Sequence, residues 1–111
     1  MILSVPLSKY NKQYIILLPP VKNNMMEGGL FIRILYSPTN LILNGIFLYI
    51  KNESVNDLIS IEEDILSSYI TTKTPVYSFI KSITKCSKPI IKISGIWENT
   101  NHYGLAYKLI E

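Results

Sequence analysis

A chain of 111 residues, 48% hydrophobic and only 17% charged, holds enough apolar material for one continuous core and is too apolar for a disordered tail. A single cysteine, Cys86, excludes an internal disulfide, and a single histidine, His102, leaves no cluster with metal-ligand spacing. The net charge of +3 is too mild to imply a polyanionic partner by itself.

Met1 to Pro6 has neither a basic opening nor a continuous apolar run, so no signal peptide is expected. Gln13 to Leu18 reads as a first strand, closed by Pro19-Pro20, and Val21 to Gly29 as a loop in which Gly28-Gly29 permits positive φ. Leu30 to Tyr36, β-branched and aromatic, predicts a second strand ended by the turn Ser37-Pro38-Thr39-Asn40. Leu41 to Lys51 predicts a third, with Asn44-Gly45 as a bulge or kink. Its apolar run falls well short of the ~20 residues of a membrane span, so a soluble, intracellular protein is expected. Asn52-Glu53-Ser54 matches a glycosylation sequon, which without a secretory signal reads as coincidence.

A helix follows this polar break. Ser60-Ile61-Glu62-Glu63 has the spacing of a capping box, and Ser54-Val55-Asn56-Asp57 offers an earlier start. Ile61, Ile65, Leu66, Tyr69 and Ile70 recur at helical spacing. Thr74-Pro75 predicts the start of a second helix, threonine as cap and proline in the first turn, with Val76, Phe79, Ile80 and Ile83 as its apolar stripe. Ile90 to Trp97 reads as a fourth strand, Glu98 to Asn101 as a turn and Tyr103 to Ile110 as a fifth strand. In that last strand Tyr103, Leu105, Tyr107 and Leu109 share one face, and His102, Gly104, Ala106 and Lys108 the other. No repeat or linker divides the chain, so residues 1–111 are expected to form one domain. The order β-β-β-α-α-β-β predicts an α+β fold: a mainly antiparallel five-stranded sheet, or small OB-like barrel, with two helices.

Catalysis needs a nucleophile, a base and an orienting group that converge. His102 beside a turn and Cys86 at a helix end supply no such set, and no phosphate loop, dinucleotide fingerprint or zinc spacing is present. Glu62, Glu63 and Asp64 occupy consecutive helix positions, which fan out around the axis and do not converge on a cation. They read as solvated acids compensating a helix dipole. The chain is therefore expected to be a binding protein without catalytic activity, cofactor or metal.

The positive signal is aromatic and basic residues sharing strand faces. Ile32, Ile34 and Tyr36 alternate with Phe31, Arg33 and Leu35; Ile46, Leu48 and Ile50 alternate with Phe47, Tyr49 and Lys51. If the Ile/Leu sides fill a core, Phe31, Arg33, Phe47, Tyr49 and Lys51 face outward together, with Lys22 and Trp97 contributed by flanking loops. An OB-fold binds oligonucleotides on the surface of these strands, and stacking a base on a ring is worth about 1–3 kcal/mol. From Ile65 through Trp97 there is no acid, while Lys73, Lys81, Lys85, Lys88 and Lys92 fall there, either a solvated face or a basic patch. The ligand this suggests is single-stranded DNA or RNA. A competing reading packs Phe31, Phe47 and Tyr49 beneath the helices and makes Trp97 a hairpin anchor. Apolar residues on both strand faces also fit a homo-oligomer or a protein–protein module.

The run Lys92-Ile93-Ser94-Gly95-Ile96-Trp97-Glu98, followed by Tyr103-Gly104-Leu105-Ala106-Tyr107-Lys108, resembles the ending of small proteins from nucleocytoplasmic large DNA viruses. In these a tryptophan-bearing strand and a Gly-Leu-x-Tyr-Lys strand make the final hairpin. The likeness covers about the last fifth of the chain, with fainter echoes at Asn44-Gly45 and Ile61 to Leu66. Some such proteins are linked to single-stranded DNA binding in replication, and the resemblance implies that role here. The abundance of Ile, Asn, Lys and Tyr matches translation of an AT-rich genome.

Overall fold

The isoleucine-rich stretch Ile90–Glu98 becomes the strand on which the rest of the sheet is built. In a computed structural model, which describes residues 5–6, 9–22, 28–50, 55–83 and 89–110, the chain forms β1 (Val5–Pro6), β2 (Ile15–Leu17), β3 (Val21–Lys22), β4 (Leu30–Tyr36) and β5 (Ile46–Tyr49). These are followed by α1 (Val55–Ser67), β6 (Thr74–Val76), α2 (Phe79–Ile83), β7 (Ile90–Glu98) and β8 (His102–Ile110).

One edge of β7 pairs with β8 along its whole length. Its other edge is shared: Leu30 to Arg33 of β4 pair with Glu98 to Gly95, and Ile46 to Tyr49 of β5 then pair with Ile93 to Ile90. β5 thus resumes the line that β4 leaves, and residues 34–45 are an excursion closed by a bridge between Tyr36 and Leu43. Gly45 makes the re-entry. Its φ is +106°, and a Cβ there would lie 2.9 Å from the Ile93 carbonyl oxygen, so only glycine allows the chain to approach β7 this closely. β2 and β3 pair antiparallel with the far edge of β4. β1 adds in parallel to β5 and β6 in parallel to β8.

The expectation of a mainly antiparallel five-stranded sheet or OB-like barrel with two helices is therefore corrected. The described strands form one open, mixed sheet that does not close, and α1 is the one long helix among the described residues. The second predicted helix fails at its start, because Thr74-Pro75 is strand. Thr74 donates its amide to the Asn101 carbonyl at 3.0 Å, and Pro75 sits on an outer strand of the sheet, where a missing N–H is tolerated. α2 begins later, at Phe79, and its described part reaches Ile83. The first predicted strand shortens to Ile15–Leu17, preceded by a 3-10 turn over Lys12–Tyr14 whose Gln13 amide is capped by Asn11 Oδ1 at 2.9 Å. The Cys86 position, the 52–54 sequon, Lys51, Lys85 and Lys88 lie outside the described residues.

The core lies on one side of the sheet. Ile32, Ile34, Ile46, Leu48, Ile91, Ile93, Ile96 and Leu105 meet Leu58, Ile61, Ile65 and Leu66 of α1 and Phe79 of α2. Ser60 lies inside α1 rather than capping it, and the other start considered, Ser54, lies outside the described residues. Among the described residues no helix is long and apolar enough to cross a membrane.

Glu62 is also corrected: it is 1% exposed rather than solvated, and accepts the backbone N–H groups of Ser78 (2.9 Å) and Phe79 (3.2 Å) where α2 begins. Burial raises its pKa, opposed in part by those two donors. A carboxyl held above its ordinary value favours the fold most when protonated in both states. That contribution fades as pH rises, first through the unfolded-state value and then through the raised folded one. Wild type is thus expected to lose stability relative to Glu62→Gln between mild acid and neutral pH, read as the difference in urea midpoints; a constant difference would contradict the assignment.

Tyr107 fastens α2 to β8. Its hydroxyl lies 2.7 Å from Ser82 Oγ and 3.0 Å from Ser78 Oγ, and it donates to the Ser78 carbonyl at 3.1 Å. The molecule's smallest dimension, 23 Å, fits the sheet and one helical layer about 10 Å thick.

Candidate functional site

With α1 and α2 on one side, no helix among the described residues covers the other face of the sheet. Strand alternation decides what it shows. In β4 the buried Ile32, Ile34 and Tyr36 point to the core and leave Phe31, Arg33 and Leu35 outward; in β5, Ile46 and Leu48 point in and Phe47 and Tyr49 out. Directly opposed residues share a face, so the pairing fixes rows across it. Phe31, Trp97 and Gly104 form one row; Arg33, Gly95 and Ala106 the next; Phe47, Lys92 and Lys108 a third; Tyr49, Ile90 and Ile110 the last.

The rings lean across the sheet. A Cβ on Gly104 would meet the Trp97 indole at 2.8–3.1 Å, and one on Gly95 would meet the Phe31 ring at 2.7 Å and also the Ile32 carbonyl oxygen. Each aromatic therefore occupies space that a neighbouring strand's glycine leaves open. The Lys92 ammonium lies 5.5 Å from the centre of the Phe47 ring, a cation–π distance. Arg33 Nη1 donates to Asn44 Oδ1 at 3.0 Å, which holds the guanidinium over the 34–45 excursion. Tyr49 is 41% exposed.

Charge is segregated between the two sides. The described acids are Asp57, Glu62, Glu63 and Asp64 on α1, and Glu98 on the helix-facing side of β7. Glu98 is buried and accepts the Tyr69 hydroxyl at 2.8 Å; burial and this carboxylate push the Tyr69 pKa up to about 12. No described carboxylate shares the open face with Arg33, Lys92 and Lys108. Among the described residues no three His, Cys, Asp or Glu side chains gather as a metal site. His102 opens β8, and its amide donates to Asn99 Oδ1 at 2.8 Å in the hairpin turn.

Of the residues singled out from the sequence, Phe31, Arg33, Phe47, Tyr49, Lys92 and Trp97 fall on this one face, brought together by β7. The helices do not cover Phe31, Phe47 and Tyr49, as the competing reading required. Lys22 does not join them: it is opposite Leu30, which is in turn opposite Glu98, so its register is that of the helix side. Lys81 is on α2, in the other layer, and Lys73 donates to the Thr100 carbonyl at 2.7 Å.

Sequence reasoning missed Gly104 and Lys108 as members of the site, and missed the bulge between Ile93 and Gly95 that aligns them. The signal was present. Ile91 and Ile93 are two apart, whereas the next buried isoleucine, Ile96, is three further on, a change of phase that marks an extra residue.

Trp97 is the sole tryptophan, which makes Gly104 testable. The nearest atoms a Cβ at Gly104 meets all belong to the indole, so Gly104→Ala is expected to displace Trp97 and leave the backbone in place. Iodide should then quench the intrinsic fluorescence more strongly than in wild type, while far-ultraviolet circular dichroism stays the same. No family model matches the chain, and comparison with curated proteins and with solved structures finds no match either.

Proposed function

We propose that this chain is a binding protein without catalytic activity, whose open sheet face takes single-stranded nucleic acid, DNA or RNA, with little sequence preference. The observation that carries this reading is the segregation of charge and rings: four aromatic rings and three cations on the side that no described helix covers, the described acids all on the other. Sequence-tolerant single-strand binders combine these two features, since every base has a face to stack and every nucleotide a phosphate to neutralise. A duplex keeps its bases stacked within the helix and offers only its phosphates, so single strands are favoured. The likeness of the final hairpin to proteins of nucleocytoplasmic large DNA viruses, some linked to single-stranded DNA binding, points the same way.

Trp97 supplies the test. Unlabelled oligothymidylate added to the protein at low salt is expected to quench its fluorescence to saturation, and added salt to reverse the effect. No change at low salt, where electrostatic attraction is strongest, would remove the proposal.

A second reading is favoured by one specific feature. Beyond the rings, the same face continues at its β2–β3 edge with Ile16, 39% exposed and opposite Leu35, and Val21, 57% exposed and opposite Phe31. An apolar margin of this kind suits a protein partner or a second copy of the chain. A mass that grows with concentration in light scattering, together with no salt-sensitive association with oligonucleotides, would select that reading.

A further inference from the structure

Lys92 and Lys108 stand directly opposite each other across β7 and β8. Like charges at opposed positions weaken an antiparallel pair, and no described carboxylate lies on this face to relieve them. Simple alternation does not produce the arrangement. Carried on without interruption from Glu98 opposite Tyr103, the register would set Lys92 opposite Leu109 and turn its side chain toward the helices, because a slip of one residue exchanges the faces. The bulge between Ile93 and Gly95 removes that slip. It sends Ile91 and Ile93 into the core and Lys92 outward beside Lys108.

Resting on the single-strand reading above, we infer that Lys92 and Lys108 are the phosphate-contacting pair of the open face, neutralising adjacent phosphates of one strand. Lysine ammonium groups are compact point charges that bind phosphate without demanding a fixed angle, which suits a ligand recognised by its backbone. The Phe47 ring beside Lys92 keeps one ammonium near a surface on which a base stacks. The Phe31–Trp97 row lies further along β7, so the strand runs from the lysine pair toward the tryptophan, with Gly95 between.

The test is the salt dependence of oligothymidylate binding by the full chain, its Lys92→Gln and Lys108→Gln variants, and the double variant. On single strands each phosphate contact contributes roughly 0.7 to the slope of log affinity against log salt. Each single variant is expected to make the slope shallower by about 0.7, and the double variant by about 1.4, in the same units. Trp97→Ala should lower affinity and leave the slope alone. Lys108→Glu, which sets opposite charges face to face, is expected to raise the melting temperature while weakening binding. Inorganic polyphosphate matched in charge lacks bases to stack and should bind more weakly than the oligonucleotide.

Wild-type binding with an unchanged slope in the double variant would overturn the lysine assignment and leave the single-strand reading standing. Absence of wild-type binding at low salt would overturn both. A lower melting temperature in Lys108→Glu would contradict an unrelieved repulsion. Polyphosphate binding that equals the oligonucleotide's and ignores Trp97→Ala would reassign the pair to a ligand without bases.

Discussion

Alanine at both Phe47 and Trp97 is expected to weaken single-strand binding by roughly 30-fold to 10⁴-fold, on the basis of ~1–3 kcal/mol per stacked base. The two rings are on separate rows of the open face, Phe47 opposite Lys92 and Trp97 opposite Gly104, so they serve different bases and their effects should add. Phe31 and Trp97 are directly opposed and share a row; that pair is expected to fall short of the product of the two single effects. None of these residues belongs to the buried core cluster, so circular dichroism and the urea midpoint should change little. Loss of folding instead would mark the rings as structural, and a decrease in affinity below 2-fold would show that they do not stack on bases.

Phe79→Ala is expected to be the most damaging single change to the fold, at about 3–5 kcal/mol, the range for deleting a buried phenylalanine side chain. α2 persists because Phe79 is fully buried, because its ring meets Tyr107 edge-on at 4.7 Å, and because Glu62 accepts its first amides. Urea titration measures the loss as a lower midpoint with an unchanged slope. Protein that remains folded should bind oligonucleotide as wild type does, since α2 packs on the side away from the rings. A cost below about 1 kcal/mol would mean that the α2 layer adds little to the core.

How much of this could be read from the residues differs from element to element. Leu30–Tyr36 was legible to its ends, because β-branched and aromatic residues alternate between a glycine pair and a proline turn. The inward and outward sides of β4 and β5 followed from the same alternation. The partners of those strands did not. A sequence records which residues suit a strand but not which edge they meet, and nothing local announces that β4 and β5 share one edge of β7. Gly45 hinted at a kink; that the kink returns the chain to β7 depends on the Ile93 carbonyl, 48 positions away.

Closure is long-range in the same sense, and an OB-like order of elements does not reveal whether the outer strands meet. Thr74-Pro75 carries two compatible signals, a helix cap and an outer strand, and pairing with β8 decides between them. Glu62 read as a solvated acid because nothing local announces that α2 will bring two amides to it. Lys108 was assigned its correct face within β8, yet its neighbour across the hairpin depends on a bulge whose only trace is the spacing of three isoleucines.

Fluorescence anisotropy of labelled oligonucleotides, one sequence presented as single strand and as duplex, at low and at high salt, tests the claim that the open face binds single strands. If the open face stacks bases and neutralises phosphates, the single strand binds clearly more tightly than the duplex and releases as salt rises. No binding to the single strand at low salt, or binding that does not distinguish it from duplex, would contradict that claim and leave a protein partner as the occupant of this face.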